Sequence, residues 1–258
     1  MRIATWNVNS LKARLPRVEA WLAEAQPDVV CLQETKLADS AFPALAFHAL
    51  GYESLHHGEG RWNGVAILSR VGIEDPRPGW TDDGTPDPDA RIVWATCGGV
   101  RVASVYVPNG RELEHDHYRY KLAWLDRLRA HLAAGYSPDD RVLVAGDFNI
   151  APTDDDVWDP EQFVGSTHVS EPERAALGAL ADWGLQDTFR RLHPEPGHFT
   201  YWDYRAGMFH KGMGMRIDLL LATAPVADAV TAAVMDRNAR KGTKPSDHAP
   251  VYIDVEGF

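Results

Sequence analysis

The sequence predicts a mixed α/β protein folded as one domain over residues 1–258, built on two sheets or one large sheet. Three observations carry that expectation. Short apolar runs of strand length alternate with segments of helical period along the whole chain, without an internal repeat or a low-complexity linker. One run, 141–145 (RVLVA), is apolar without alternation, as a strand buried on both faces requires. The composition is 45% hydrophobic with 21 Gly and 17 Pro, too apolar for a disordered chain and too rich in breakers for a helical bundle.

The elements follow in order. Residues 2–8 read as a first strand. A helix is expected from Pro16, with Val18, Trp21, Leu22 and Ala25 at helical spacing. Residues 28–33 and 63–69 are the second and third strands. The stretch 74–90, rich in Pro, Gly and Asp, reads as a surface excursion. Residues 91–97 and 100–107 form a hairpin across Gly98-Gly99, a two-residue turn signal. An amphipathic helix spans 118–133, with Leu122, Leu125, Leu128 and Leu132 on one stripe. After the run at 141–145, a helix at 173–183 stops at Gly184, and 216–222 and 250–255 are late strands.

Composition also excludes classes of function. Two cysteines, Cys31 and Cys97, do not make a disulfide scaffold. No apolar run approaches the ~20 residues of a membrane span, and MRIATWNVNS lacks a signal-peptide core, so a cytoplasmic protein without membrane contact is expected. The net charge of −11 argues against broad affinity for nucleic acid. A phosphate substrate then needs local positive charge or a metal. The basic residues gather in two stretches, 205–216 and 237–244, after an acidic stretch at 150–189.

One pattern stands out. Five strands, or the turns beside them, carry a carboxylate or carboxamide: Trp6-Asn7, Gln33-Glu34, Gly146-Asp147-Phe148-Asn149, Asp218 in RIDLLL, and Ser246-Asp247-His248. A single Asp after a strand is normally a turn or cap residue. Five converging at one sheet edge would repel one another unless a cation neutralised them. Oxygen ligands suit a hard ion, Mg2+ or Mn2+, and favour phosphoryl chemistry. GxSxG, Walker A and HExxH motifs are absent. His248 needs a partner to fix its tautomer. Asp247 is adjacent on a strand and points to the other face, so Asp218 is the better candidate.

Eight motifs in order resemble the exonuclease III / apurinic-apyrimidinic endonuclease family, bacterial type, within the DNase I-like phosphoesterases. They are WNVN (6–9), LQETK (32–36), NGVA (63–66), YVPNG (106–110), GDFNIAPTD (146–154), TFR (188–190), RIDLLL (216–221) and PSDHAP (245–250), with FTYWDY (199–204) in support. The resemblance implies a four-layer α/β sandwich, two packed mixed sheets flanked by helices. It implies a Mg2+-dependent enzyme, with Mn2+ as an alternative ion, acting as a monomer on double-stranded DNA at abasic sites and 3′ ends. Glu34 would hold the metal with Asn7 close by, and Asp247 would be a further metal-side carboxylate. Asp147 would orient or deprotonate the attacking water, and Asn149 would hold the phosphate or that water. Asp147, Asn149 and His248 also count among the metal-side candidates. Tyr106 would donate to the phosphate, and His248 would contact a phosphate oxygen with Asp218 fixing its ring. Tyr201, Met215 and Ile217 would line a pocket for a base-free sugar. Arg91, Arg205 and Arg216, with Arg111, Lys211, Arg240, Lys241 and Lys244, would supply positive potential near DNA. The competing reading is a superfamily phosphatase acting on a non-DNA phosphoester.

Overall fold

The computed structural model describes residues 1–80 and 87–257. In chain order the strands and α-helices are β1 (Arg2–Asn7), α1 (Leu11–Ala25), β2 (Val29–Gln33), α2 (Ala44–Ala49), β3 (Glu53–His57), β4 (Val65–Ser69), β5 (Glu74–Pro78), β6 (Ile92–Cys97), β7 (Val100–Tyr106) and α3 (Asp116–Gly135). There follow β8 (Val142–Asp147), α4 (Glu171–Trp183), β9 (Gln186–Asp187), α5 (Thr188–Leu192), α6 (Met208–Lys211), β10 (Asp218–Ala222), α7 (Ala224–Ala227), β11 (Val230–Met235) and β12 (Val251–Val255).

Two six-stranded sheets result, in the orders β11-β12-β1-β2-β4-β3 and β5-β6-β7-β8-β10-β9. Each holds one parallel pair at its centre, β1 with β2 and β7 with β8, among antiparallel neighbours. The central strands are buried on both faces, which is why they read as apolar runs. Alternation sorts their side chains. Ile3, Val29, Cys31 and Ile67 from the first sheet meet Val93, Val102, Leu143 and Leu220 from the second. Ala4 and Trp6 face the other way, onto Val18, Trp21 and Leu22 of α1. On the far side of the second sheet, Val142 and Val144 pack against Trp124, Leu125 and Leu128 of α3 and Leu180 of α4. The layers are helix, sheet, sheet, helix, the four-layer sandwich that the sequence motifs implied.

The hairpin at Gly98-Gly99 forms as expected, with φ of 55° and 78°, both positive as its mirror-image turn demands. Gly146 is required for another reason: a Cβ there would meet the Val105 carbonyl oxygen at 1.9 Å, so only glycine lets β7 and β8 close together.

Some expectations need correction. Helix α1 starts at Leu11, and Pro16 lies inside it, not at its head. Strand β5 occupies part of the stretch read as a surface excursion. Its sequence, EDPRP, is fully exposed and contains two prolines, which a sheet tolerates only at an edge. Residues 81–86 of that stretch lie outside the described residues. The edge strands β3, β9 and β11 also escape a reading by apolar pattern. Among the described residues no helix is long and apolar enough to cross a membrane.

Candidate active site

Strand register gathers the polar residues. Asn7 ends β1 opposite Gln33 of its parallel partner β2. Tyr106 ends β7 opposite Asp147 of β8, and Asp218 opens β10 opposite that same Asp147. Parallel pairs end together, so each sheet delivers its C-terminal ends to one edge, and packed sheets bring those edges side by side. The turns beyond are strained. Glu34 and Asn149 take φ of 50° and 52°, each costing on the order of 1 kcal/mol that the surrounding packing must offset.

One amide nitrogen spans two carboxylates. Asn7 Nδ2 donates to Glu34 Oε1 and to Asp147 Oδ2, both at 2.8 Å. Asn7 Oδ1 accepts the backbone N–H of Asn9 at 3.0 Å, which fixes the end of the amide that faces the carboxylates. A donating amide nitrogen is no metal ligand. The expectation of Asn7 as a ligand is therefore corrected: it spaces Glu34 and Asp147. Glu34 Oε2 pairs with Lys36 Nζ at 2.9 Å, and Lys36 also donates to Asn9 Oδ1. Burial opposes the charge on Glu34, but Lys36 and Asn7 outweigh it and lower its pKa.

His248 is buried beneath this pair. Its Nδ1 lies 2.8 Å from Asp218 Oδ2, and its Nε2 lies 3.8 Å from Asp147 Oδ2. Burial works against the ring's charge, but Asp218 and Asp147 prevail and raise its pKa to about 10. A protonated ring donates through both nitrogens, so His248 in this state serves as a donor. Burial, with Asp218 and Glu34 nearby, raises Asp147 to about 7 despite His248 and Asn7. Burial, then the charges of Glu34 and Asp147, push the Tyr106 phenol well above its ordinary value, so it stays a donor.

Asn149 is held from three sides. Its N–H donates to Asp147 Oδ1 at 2.9 Å, its Nδ2 to the Val107 carbonyl at 2.9 Å, and its Oδ1 accepts from Asn109 Nδ2 at 3.1 Å. One Nδ2 hydrogen is left for a substrate or water. Its Oδ1 accepts from Asn109 through one lone pair.

The site fits a divalent cation. The carboxylates of Glu34 and Asp147 come together here beside the His248 ring, with ligand atoms of all three within 4.8 Å of one another, and it is the two carboxylates that suit a hard cation. The buried Asp218 Oδ1 has no hydrogen-bond partner among the described residues. Asp247 stands outside that group; its Oδ1 accepts from Asn9 Nδ2 at 3.0 Å, so it reaches the site through Asn9.

Paired carboxylates, a charged imidazole and a protonated phenol around one point suit hydrolysis of a phosphoester. The profile of the endonuclease/exonuclease/phosphatase family matches residues 4–248. The chain belongs to this family. It is 33% identical to exodeoxyribonuclease III of Haemophilus influenzae, over 99% of this chain and all of that protein. Its structure superposes on an AP endonuclease from Archaeoglobus fulgidus with a TM-score of 0.96 at 36% identity, all of both chains covered. It also superposes on the 3′ phosphatase NExo from Neisseria, bound to a product DNA hairpin, with a TM-score of 0.94 at 39% identity over the full length of both. The protein is thus a hydrolase of the exodeoxyribonuclease III type within the endonuclease/exonuclease/phosphatase family.

The residues expected to meet substrate divide. Tyr201 stands with its ring 5.0 Å from that of His248. Met215 and Ile217 belong to a small apolar cluster with Ala151 and Val157, against which Tyr201 packs. Ile217, 2% exposed, is core and not pocket wall. Arg91 lines a groove of about 480 Å³ with Tyr106, Asn109 and Arg111. There it pairs with Asp89 at 2.8 Å and lies 4.8 Å from the Tyr106 ring, which it steadies. Arg216 is a correction. It is 1% exposed and pairs with Asp156 at 2.6 Å and Asp187 at 2.7 Å, so it anchors the β10 entry and faces no DNA. Arg205 is exposed but held by Asp203 at 2.6 Å.

Lys36, Asn9, Asn109 and Lys121 had no assigned role in the sequence. The first three sit inside the quoted motifs, which was the available signal. Lys121 lies on the apolar face of α3 and is fully buried. It pairs with Glu173 and donates to the Asn149 carbonyl at 2.6 Å and the Asn109 carbonyl at 3.2 Å, fixing the backbone of both asparagines.

Proposed function

We propose that this enzyme is a Mg2+-dependent DNA-repair phosphodiesterase acting on duplex DNA. It cuts at abasic sites, resects 3′ ends in the 3′→5′ direction and removes 3′ blocking groups; Mn2+ is the alternative ion. We take it to work in the cytoplasm as a monomer of one domain spanning residues 1–258. The observation that supports this reading best is the buried meeting of Glu34 and Asp147 beside the Asp218–His248 pair. The relatives named as exodeoxyribonuclease, AP endonuclease and 3′ phosphatase support the substrate class.

Glu34, kept ionised by Lys36 and Asn7, would hold the cation with Asp147 facing it. A bound divalent ion supplies charge stabilisation at the phosphate and the leaving oxygen. Asp147 orients the attacking water and takes its proton, a task that a carboxylate raised to about 7 suits near neutral pH. His248 donates a charge-assisted hydrogen bond from Nε2 to a phosphate oxygen, its ring fixed by Asp218. Tyr106 and Asn149 add neutral donors to the phosphate as charge develops. Tyr201 and Met215 would flank the sugar that lacks a base.

The test is an end-labelled duplex with one abasic site, beside a blunt duplex and an inositol phosphate, each with and without EDTA. Incision at the abasic site and shortening of the blunt 3′ end are expected, both abolished by EDTA and restored by Mg2+. Hydrolysis of the inositol phosphate with both duplexes left intact would overturn the proposal in favour of a non-DNA phosphatase.

A further inference from the structure

The segment 193–198 reads His-Pro-Glu-Pro-Gly-His, and the chemistry above uses none of it. It leaves α5 and lies against the edge strand β11. His193 Nε2 is 2.8 Å from the Ala233 carbonyl oxygen. A carbonyl only accepts, so Nε2 carries the hydrogen, and in the neutral ring Nδ1 keeps its lone pair. That lone pair faces Glu195 Oε1 at 3.4 Å, and His198 Nε2 faces the same oxygen at 2.9 Å. Two ring nitrogens thus converge on one carboxylate oxygen, His198 within hydrogen-bonding distance of it. The three ligand atoms lie within 4.8 Å of one another. Atoms ~2.0–2.1 Å from a tetrahedral zinc stand roughly 3.4 Å apart, close to the spacings seen here.

The arrangement is held in place before any ion arrives. Pro194 and Pro196 restrict the backbone between the three ligands. The Arg190 guanidinium gathers the carbonyls of His193 at 3.0 Å and Glu195 at 2.5 Å. The Phe189 ring packs on both imidazoles, with centroids 4.6 Å and 5.2 Å away. The bond from His193 Nε2 to a carbonyl is the outer contact that metal-binding histidines usually make, and it fixes the tautomer a ligand needs.

We propose that His193, Glu195 and His198 form a second metal site, which takes a borderline divalent ion such as zinc with water in the fourth position. Two imidazoles and one carboxylate suit zinc rather than magnesium. The ion would clamp this loop to β11. Two residues on, Thr200 Oγ1 accepts the N–H groups of Ile217 and Asp218. The clamp therefore steadies the approach to β10 without touching the reacting groups.

The experiment uses full-length, chelator-stripped protein carrying Glu34→Gln, which weakens the competing active site. Zn2+ is titrated by calorimetry, Co2+ by visible absorption, and thermal unfolding is followed with and without Zn2+. Uptake of one ion per chain at micromolar affinity or tighter is expected, with tetrahedral Co2+ bands and a raised Tm. Adding His198→Ala or Glu195→Gln should weaken uptake at least tenfold and erase the Tm rise. His198→Ala alone should leave Mg2+-dependent DNA cleavage unchanged, and its circular dichroism should match that of the parent. Equal Zn2+ uptake with and without His193 and His198 would overturn the proposal. So would no uptake by the parent.

Discussion

Replacing Asp218 with Ala tests the electrostatic core of the proposed mechanism. The carboxylate lies 2.8 Å from His248 Nδ1, with its side chain fully buried and that of His248 4% exposed. Burial opposes the imidazolium, and Asp218 is first among the groups that overcome it. Its loss leaves Asp147, 3.8 Å from Nε2, as the nearest remaining support. A hydrogen bond to a charged group is worth about 1.5–3 kcal/mol, which corresponds to roughly 10- to 150-fold in rate. Asp218→Ala should therefore lower kcat by about that factor on an abasic-site duplex. The pH profile gives the sign. A ring with its pKa raised to about 10 stays charged through neutral pH and loses its proton only on the alkaline side. Without Asp218 the ring deprotonates at lower pH, so the alkaline fall in rate should move down the pH scale. His248→Ala should cost as much or more, and the double variant little more than His248→Ala alone, because the pair acts as one unit. Log rate losses that simply add, with an unmoved alkaline limb, would refute the reasoning and place Asp218 in a separate role.

Three further outcomes are expected. Glu34→Gln should lose most activity at low Mg2+ and regain part of it as the metal concentration rises; steady-state rates across a Mg2+ series check this, and a flat, unimpaired response removes Glu34 from the metal site. Asp147→Asn should lower turnover by at least about a hundredfold while DNA binding holds, since activating the water acts mainly in the transition state; a parallel loss of binding by gel shift would make Asp147 structural. Asp156→Ala should destabilise the fold by about 3 kcal/mol in urea unfolding, because Arg216 stays buried with Asp187 as its remaining carboxylate partner. Burial raises the Asp156 pKa, but Arg216 and Arg190 outweigh it and lower it. Its stabilising contribution is therefore present above the unfolded carboxylate pKa and is lost as pH falls through the folded one, so wild type and Asp156→Ala should converge in stability at acid pH.

Much of the interior was legible because central strands buried on both faces must be apolar throughout. Runs such as VLVA at 142–145 have few other uses. The edge strands were not legible, since an edge strand buries little. Strand β5 is exposed along its whole length, and its two prolines read as a turn. The site was legible as a set of residue types at strand ends, because strand ends converge whatever the detail of packing. Which atom faces which was not. The role of Asn7 turns on its Oδ1 being taken by the Asn9 N–H. Lys121 looks like an intrusion on an apolar stripe until the carbonyls of Asn109 and Asn149 are placed above it.

Charge shows the same gap between type and placement. Eight cations were expected to draw DNA to an acidic chain. Arg91, Arg205 and Arg216 are bound to carboxylates of their own. Arg240 is buried against the rings of Tyr204 and Phe209. The exposed members are Arg111, Lys211, Lys241 and Lys244, alongside the paired Arg205. Affinity from counterion release scales with the number of phosphates neutralised, so these exposed members are the ones of the eight that can contribute to it. Under the proposed mechanism, discrimination would then fall to the buried site, where a phosphate would have to satisfy charged His248, Tyr106 and a cation on Glu34 at once.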